Sequence, residues 1–71
     1  MNLYRFLVRS KEKLIPVIIA AENEEKAFLQ VEVELEKHYL KLPEIEDITL
    51  YEKKKIRKSQ GFVIDFEHLV E

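Results

Sequence analysis

The chain has 71 residues, 46% hydrophobic and 37% charged, with no cysteine and a net charge of −2. That length suits one domain with a small core, the lack of cysteine removes disulfides and thiolate metal sites, and the balance of apolar and charged residues argues against disorder. The longest apolar run, "LIPVIIAA" at 14–21, is too short to cross a bilayer, and "MNLYRFLVRS" lacks the pattern of a signal peptide, so the expectation is a cytoplasmic protein with no membrane partner.

"NLYRFLVR" (2–9) predicts a first strand. Tyr4, Phe6 and Val8 share an apolar face, while Leu3, Arg5, Leu7 and Arg9 share a mixed one. "SKEK" (10–13) reads as a hairpin loop, and "LIPVIIAA" (14–21) as a second strand rich in β-branched residues. Pro16 has no N–H to give a ladder, which places it near the strand's start or on a sheet edge.

"ENEEKAFLQVEVELEKHYL" (22–40) predicts a helix. Asn23 is a suitable N-cap, Glu24 and Glu25 complement the dipole in the first turn, and Pro43 stops the helix at or before Leu42. "EIEDITLYE" (44–52) predicts a third strand, with Ile48 and Leu50 on one face. Ser59, Gln60 and Gly61 form a turn. "FVIDFEHLVE" (62–71) fits both periodicities; the preferred reading is a strand over Phe62–Asp65 with a final helical turn after it. The order β-β-α-β-(β) predicts an α+β domain, a three- or four-stranded, mainly antiparallel sheet with one helix packed on one face.

At about 100° per residue, Ala27, Phe28, Val31, Leu35 and Tyr39 fall on one helix face, which belongs on the sheet. Leu29, Val33 and Leu40 fall nearly opposite, separated from the first stripe by Glu32 and Glu36 on one flank and by Gln30, Glu34 and Lys37 on the other. A helix lying on a sheet needs only one apolar stripe. The second is either a scatter of surface residues that the C-terminal segment covers, or a contact face for a partner. The latter suits a small chain, whose core dimerisation would enlarge.

Charge is segregated along the chain. Residues 1–13 carry four bases and one acid, and residues 22–47 nine acids and three bases. From Lys53 to Lys58, Ile56 is the one uncharged residue in a basic tract of Lys53, Lys54, Lys55, Arg57 and Lys58. Joined by Arg5, Arg9, Lys11 and Lys13, this tract would form one positive surface attractive to phosphates, with Tyr51 and Phe62 available to stack on bases. Against that stand the overall acidity and the lack of a nucleic-acid-binding motif. Lysines also guard strand edges against pairing, and charge runs are usually solvated. The bland role is the preferred one.

Few residues suggest catalysis. Glu34 and His38 are four apart on the helix, but two ligands do not make a zinc site. His38 at the rim of the core face reads as a partly buried, hydrogen-bonded side chain. Ser10, Ser59 and Thr49 lie in no nucleophile motif, and a single glycine cannot build a phosphate cradle. The helix carboxylates read as solvated flanks without the burial that tunes pKa values. The expectation is a non-enzyme with no cofactor and no metal.

The stretch "AENEEKAFLQVEVELEKHYLKLPEIEDITLYEKKKIRK" with "GFVI", together with "NLYRF" and "PVIIAAE", resembles a small uncharacterised protein family of Bacillus-type Firmicutes, a domain of unknown function. The resemblance spans nearly the whole chain. It implies a stand-alone cytoplasmic bacterial protein and brings no functional residues. The residues themselves point to a protein-interaction module, a homo-oligomer or the partner of another protein, through Leu29, Val33 and Leu40. A nucleic-acid-binding accessory protein using the basic tract is the alternative.

Overall fold

A computed structural model describes residues 1–63. It contains β1 (Asn2–Ser10), β2 (Leu14–Ala21), α1 (Glu24–His38) and β3 (Ile45–Lys55). The strands form one antiparallel sheet in the order β2-β1-β3, so β1 is central and, among the described residues, the other two are edges. The architecture is α+β, as the alternation of periodicities predicts.

The hairpin between β1 and β2 closes on Ser10. Its backbone N–H and its hydroxyl both donate to the Lys13 carbonyl at 2.9 Å, and its Oγ accepts from the Lys13 N–H at 3.1 Å. Ser10 is buried, and these bonds satisfy its polar atoms. Pro16 lies opposite Leu7 on the edge strand β2, where a missing N–H is tolerated.

Helix α1 begins where Asn23 ends the extended chain. The Asn23 Oδ1 accepts from the Lys26 N–H at 2.9 Å, which meets one of the helix's free first-turn donors, and its carbonyl accepts the first regular helical bond from the Ala27 N–H at 3.0 Å. The helix stops at His38, two residues earlier than its apolar spacing predicts. Tyr39 is already extended, with φ −106° and ψ 138°, and packs partly buried against the core. The Lys13 ammonium lies 4.7 Å from its ring centroid. Burying this ring at the helix end carries Leu40 outward, beyond α1.

The core sits between α1 and one sheet face. Tyr4, Phe6 and Val8 of β1, Ile19 and Ala21 of β2, and Ala27, Val31 and Leu35 of α1 are buried together. Alternation puts the three β1 residues on one side of the pleat, and a four-residue repeat puts the helical ones on one stripe. Phe28 meets Phe6 edge-on at 4.8 Å and stays at the margin, 37% exposed. The helix packs chiefly over β2 and β1; Ile45, Ile48 and Leu50 of β3 are therefore only partly buried at the side of the core.

β3 is three residues longer at its C-terminal end than its apolar pattern predicts. Lys53, Lys54 and Lys55 pair with Tyr4, Leu3 and Asn2 of β1, and the Ile56 N–H donates to the Met1 carbonyl at 3.1 Å. The strand is extended by its partner's length, whatever its own side chains prefer. Two bulges interrupt the pairing: Tyr51 is the extra residue between Arg5–Glu52 and Phe6–Leu50, and Glu46 the extra one between Arg9–Asp47 and Ser10–Ile45. The expected strand over Phe62–Asp65 is not regular at Phe62 and Val63, and its remainder, with the final helical turn, lies outside the described residues.

Candidate interaction surface

The outer face of α1 follows from its inner one. With Ala27, Val31 and Leu35 buried, Leu29 and Val33 project to solvent, 68% and 42% exposed. Leu40 is fully exposed but lies past the helix end, so it borders the stripe and does not continue it. Glu32 and Glu36 flank the stripe on the side of Phe28, and both are exposed. On the other flank the Glu34 carboxylate accepts from Gln30 Nε2 at 2.7 Å and from Lys37 Nζ at 3.4 Å. The Gln30 hydrogen bond, then the Lys37 charge, hold its pKa below the ordinary value of 4.5. The described part of the C-terminal segment does not cover the stripe. It runs instead to the opposite face of the sheet.

There the chain is gripped by β1. Arg5 Nη1 donates to the Val63 carbonyl at 2.9 Å, and its Nη2 lies 3.5 Å from Glu52 Oε1. The Phe62 ring is approached by Arg5, 5.8 Å from the centroid, and by Lys54, at 4.9 Å. Lys54 Nζ also donates to the Gly61 carbonyl at 2.7 Å. Leu7, on this same face between Pro16 and Thr49, is buried despite lying away from α1. None of this was legible in advance, because it depends on which strand neighbours β1; the signal available was the mixed face of Leu3, Arg5, Leu7 and Arg9.

The bases do not gather into the single positive surface that the sequence suggests. Antiparallel pairing puts Lys53–Lys55 beside Asn2–Tyr4 and the acidic start of β3 beside Arg9 and Ser10. The two basic groups thus stand at opposite ends of β1, ~24 Å apart at the usual rise per residue. Arg9 pairs with Asp47 at 3.7 Å and Lys11 with Glu44 at 3.2 Å. Among the described residues only Arg5 joins Lys54, with Glu52 between them at 3.5 and 3.9 Å. Lys53, Lys55, Arg57 and Lys58 are exposed and have no ion pair among the described residues.

Glu34 turns to Gln30 and Lys37, away from His38. The His38 side chain is exposed and its ring meets Tyr39 edge-on at 4.8 Å, which corrects the expectation of a partly buried, hydrogen-bonded histidine. Among the described residues, no three His, Asp or Glu side chains converge as metal ligands would. Ser10 serves its turn, and Thr49 is an exposed residue of β3. A shallow cleft that sequence spacing could not reveal lies at the hairpin end, where Lys11, Lys13 and Lys41 meet Tyr39, Leu42 and Glu44.

Among the described residues, these features define a small α+β domain: a three-stranded antiparallel sheet that bears one helix with an apolar stripe on its outer face. The chain belongs to a family of proteins of unknown function, DUF3906, whose model matches residues 1–64. No curated protein and no solved structure matches it. No helix among the described residues is long and apolar enough to cross a membrane.

Proposed function

We propose that this protein is a non-enzymatic interaction module of the bacterial cytoplasm that self-associates through the outer face of α1. The observation that supports this reading is the exposure of Leu29 and Val33 on a helix whose other stripe already fills the core. Two such faces packed together would remove both from water, at roughly 25 cal/mol per Å² of apolar surface. Leu40 and Phe28 would extend the contact at its margins, and Glu32 and Glu36 would form the polar rim that sets register. Sedimentation of the full chain across a concentration series tests it. Self-association that Val33→Glu weakens supports the reading; a monomer at millimolar concentration overturns it.

A second reading rests on the unpaired bases. Lys53 and Lys55 stand exposed on the strand that carries the half-exposed Tyr51, and the exposed Arg57 and Lys58 follow it in the chain, a combination suited to single-stranded nucleic acid. Binding of labelled RNA or DNA that weakens steeply with salt would favour it. The separation of the basic groups along β1, and the acids beside Arg5, Arg9 and Lys11, make it the weaker reading.

A further inference from the structure

We infer that β3 is a self-pairing edge: in a dimer, two copies of β3 join antiparallel about a two-fold axis and extend the sheet from three strands to six. The inference shares with the proposed function the premise that the chain self-associates, but it uses a different surface.

Three observations carry it. The outer edge of β3 has no hydrogen-bonded neighbour among the described residues, so a long row of backbone donors and acceptors is open for a further strand. The strand is also charge-polarised. Its start carries Glu46 and Asp47, preceded by Glu44; its end carries Lys53, Lys54 and Lys55, followed by Arg57. Two-fold antiparallel pairing sets the start of one copy against the end of the other. With Leu50 opposite Tyr51, the register places Asp47 against Lys54 and Glu46 against Lys55, each twice by symmetry, and it brings no like charges of the strand face to face.

The third observation is the bulge. Residues seven apart in a regular strand point to opposite faces. The extra residue at Tyr51 shifts the phase, so that Asp47 and Lys54 pair with Arg9 and Leu3 on the face away from α1, while Ile48 and Lys53 pair with Val8 and Tyr4 on the helix side. The bulge at Tyr51 is thus what lets Asp47 meet Lys54 on one side of a continuous sheet. Pairing would also place the partly buried Ile48 and Leu50 in the middle of the six strands, between the two helices. The basic tract then has a partner: the acidic start of the same strand in a second copy.

Glu46 and Lys55 are the residues to test, because both are exposed and neither has an ion pair among the described residues. The full chain is studied in a Val33→Glu background, which removes the helix contact. Association is read by sedimentation velocity at low salt, with circular dichroism to verify folding. The background protein should still dimerise. Glu46→Lys alone and Lys55→Glu alone should each weaken the dimer about tenfold, since two opposite-charge pairs become two like-charge pairs. Glu46→Lys with Lys55→Glu should restore it, because the swapped charges again face each other. A background protein that is monomeric, while the parent chain associates, overturns the β3 pairing and leaves the helix reading standing. A parent chain that is monomeric overturns both. A double variant no tighter than the singles also overturns the pairing, as does nucleic-acid binding lost in Lys55→Glu with no change in association; the lysines would then act as edge guards or phosphate ligands.

Discussion

Arg5 on β1 donates to the carbonyl of Val63, a residue 58 positions further along the chain, at 2.9 Å. This bond and the Phe62 ring near Arg5 and Lys54 fasten the chain after β3 to the sheet face that α1 leaves uncovered. Each cation–ring contact at such a site contributes about 0.5–1 kcal/mol. Phe62→Ala should therefore leave the sheet intact but loosen the segment that follows β3. Trypsin cleavage after Arg57 and Lys58 should accelerate roughly two- to fivefold. An unchanged cleavage rate would mean that the Arg5 and Lys54 hydrogen bonds to the Val63 and Gly61 carbonyls hold the segment without the ring.

The core prediction concerns Leu35, which is 3% exposed and packs in the cluster with Tyr4, Phe6 and Val31. Leu35→Ala should cost about 2–5 kcal/mol. For a domain this small that is a large share of its total stability. The urea midpoint should fall sharply with little change in slope. Val33→Ala, two residues away in the sequence but facing water, should shift the midpoint far less.

Asn23 supplies the side-chain cap of α1, with Oδ1 2.9 Å from the Lys26 nitrogen. Asn23→Ala should lower stability by about 1 kcal/mol, and Asn23→Ser should recover most of it. Helical circular dichroism during thermal unfolding distinguishes the two. Equal melting of the alanine and serine variants would mean that the cap bond contributes nothing measurable.

This cap shows how much of the fold was readable. Asn23 before two glutamates is a local signal, and it marks the helix start within one residue. The bounds of β2 follow equally well, because the apolar run 14–21 is closed by Lys13 and Glu22. Non-local features were not readable. β3 continues through three lysines because β1 offers it a partner there, and a charge run carries no sign of that. α1 ends at His38 because the Tyr39 ring packs on the core, which no spacing rule anticipates. The outer stripe of Leu29 and Val33 was legible from helical angles alone. The scattering of the basic residues was not, since it depends on the sheet order.

Glu34 gives a pH prediction with a definite sign. Its folded pKa lies below 4.5, chiefly through the Gln30 hydrogen bond and then the Lys37 charge. A depressed carboxylate adds stability above the unfolded pKa, and that stability is lost as pH falls through the folded one. The contribution is present at neutral pH and disappears below pH 4.5. The side chain faces water, so the effect on unfolding is small, and carboxyl-carbon NMR titration is the sensitive probe. Gln30→Ala should raise the Glu34 midpoint back towards 4.5, and Lys37→Ala should raise it less. A greater rise with Lys37→Ala would reverse the assigned order of causes.

The central claim is that the outer face of α1 joins two copies of the chain. Sedimentation equilibrium of the parent chain and of Val33→Glu, from micromolar to millimolar concentration, addresses it most directly. Val33 is 42% exposed, so the substitution should leave the fold intact while setting a charge in the middle of the stripe. The account predicts concentration-dependent association in the parent chain and a dissociation constant at least about tenfold weaker in the variant. A parent chain that stays monomeric throughout, or a folded variant that associates as tightly as the parent, would contradict it.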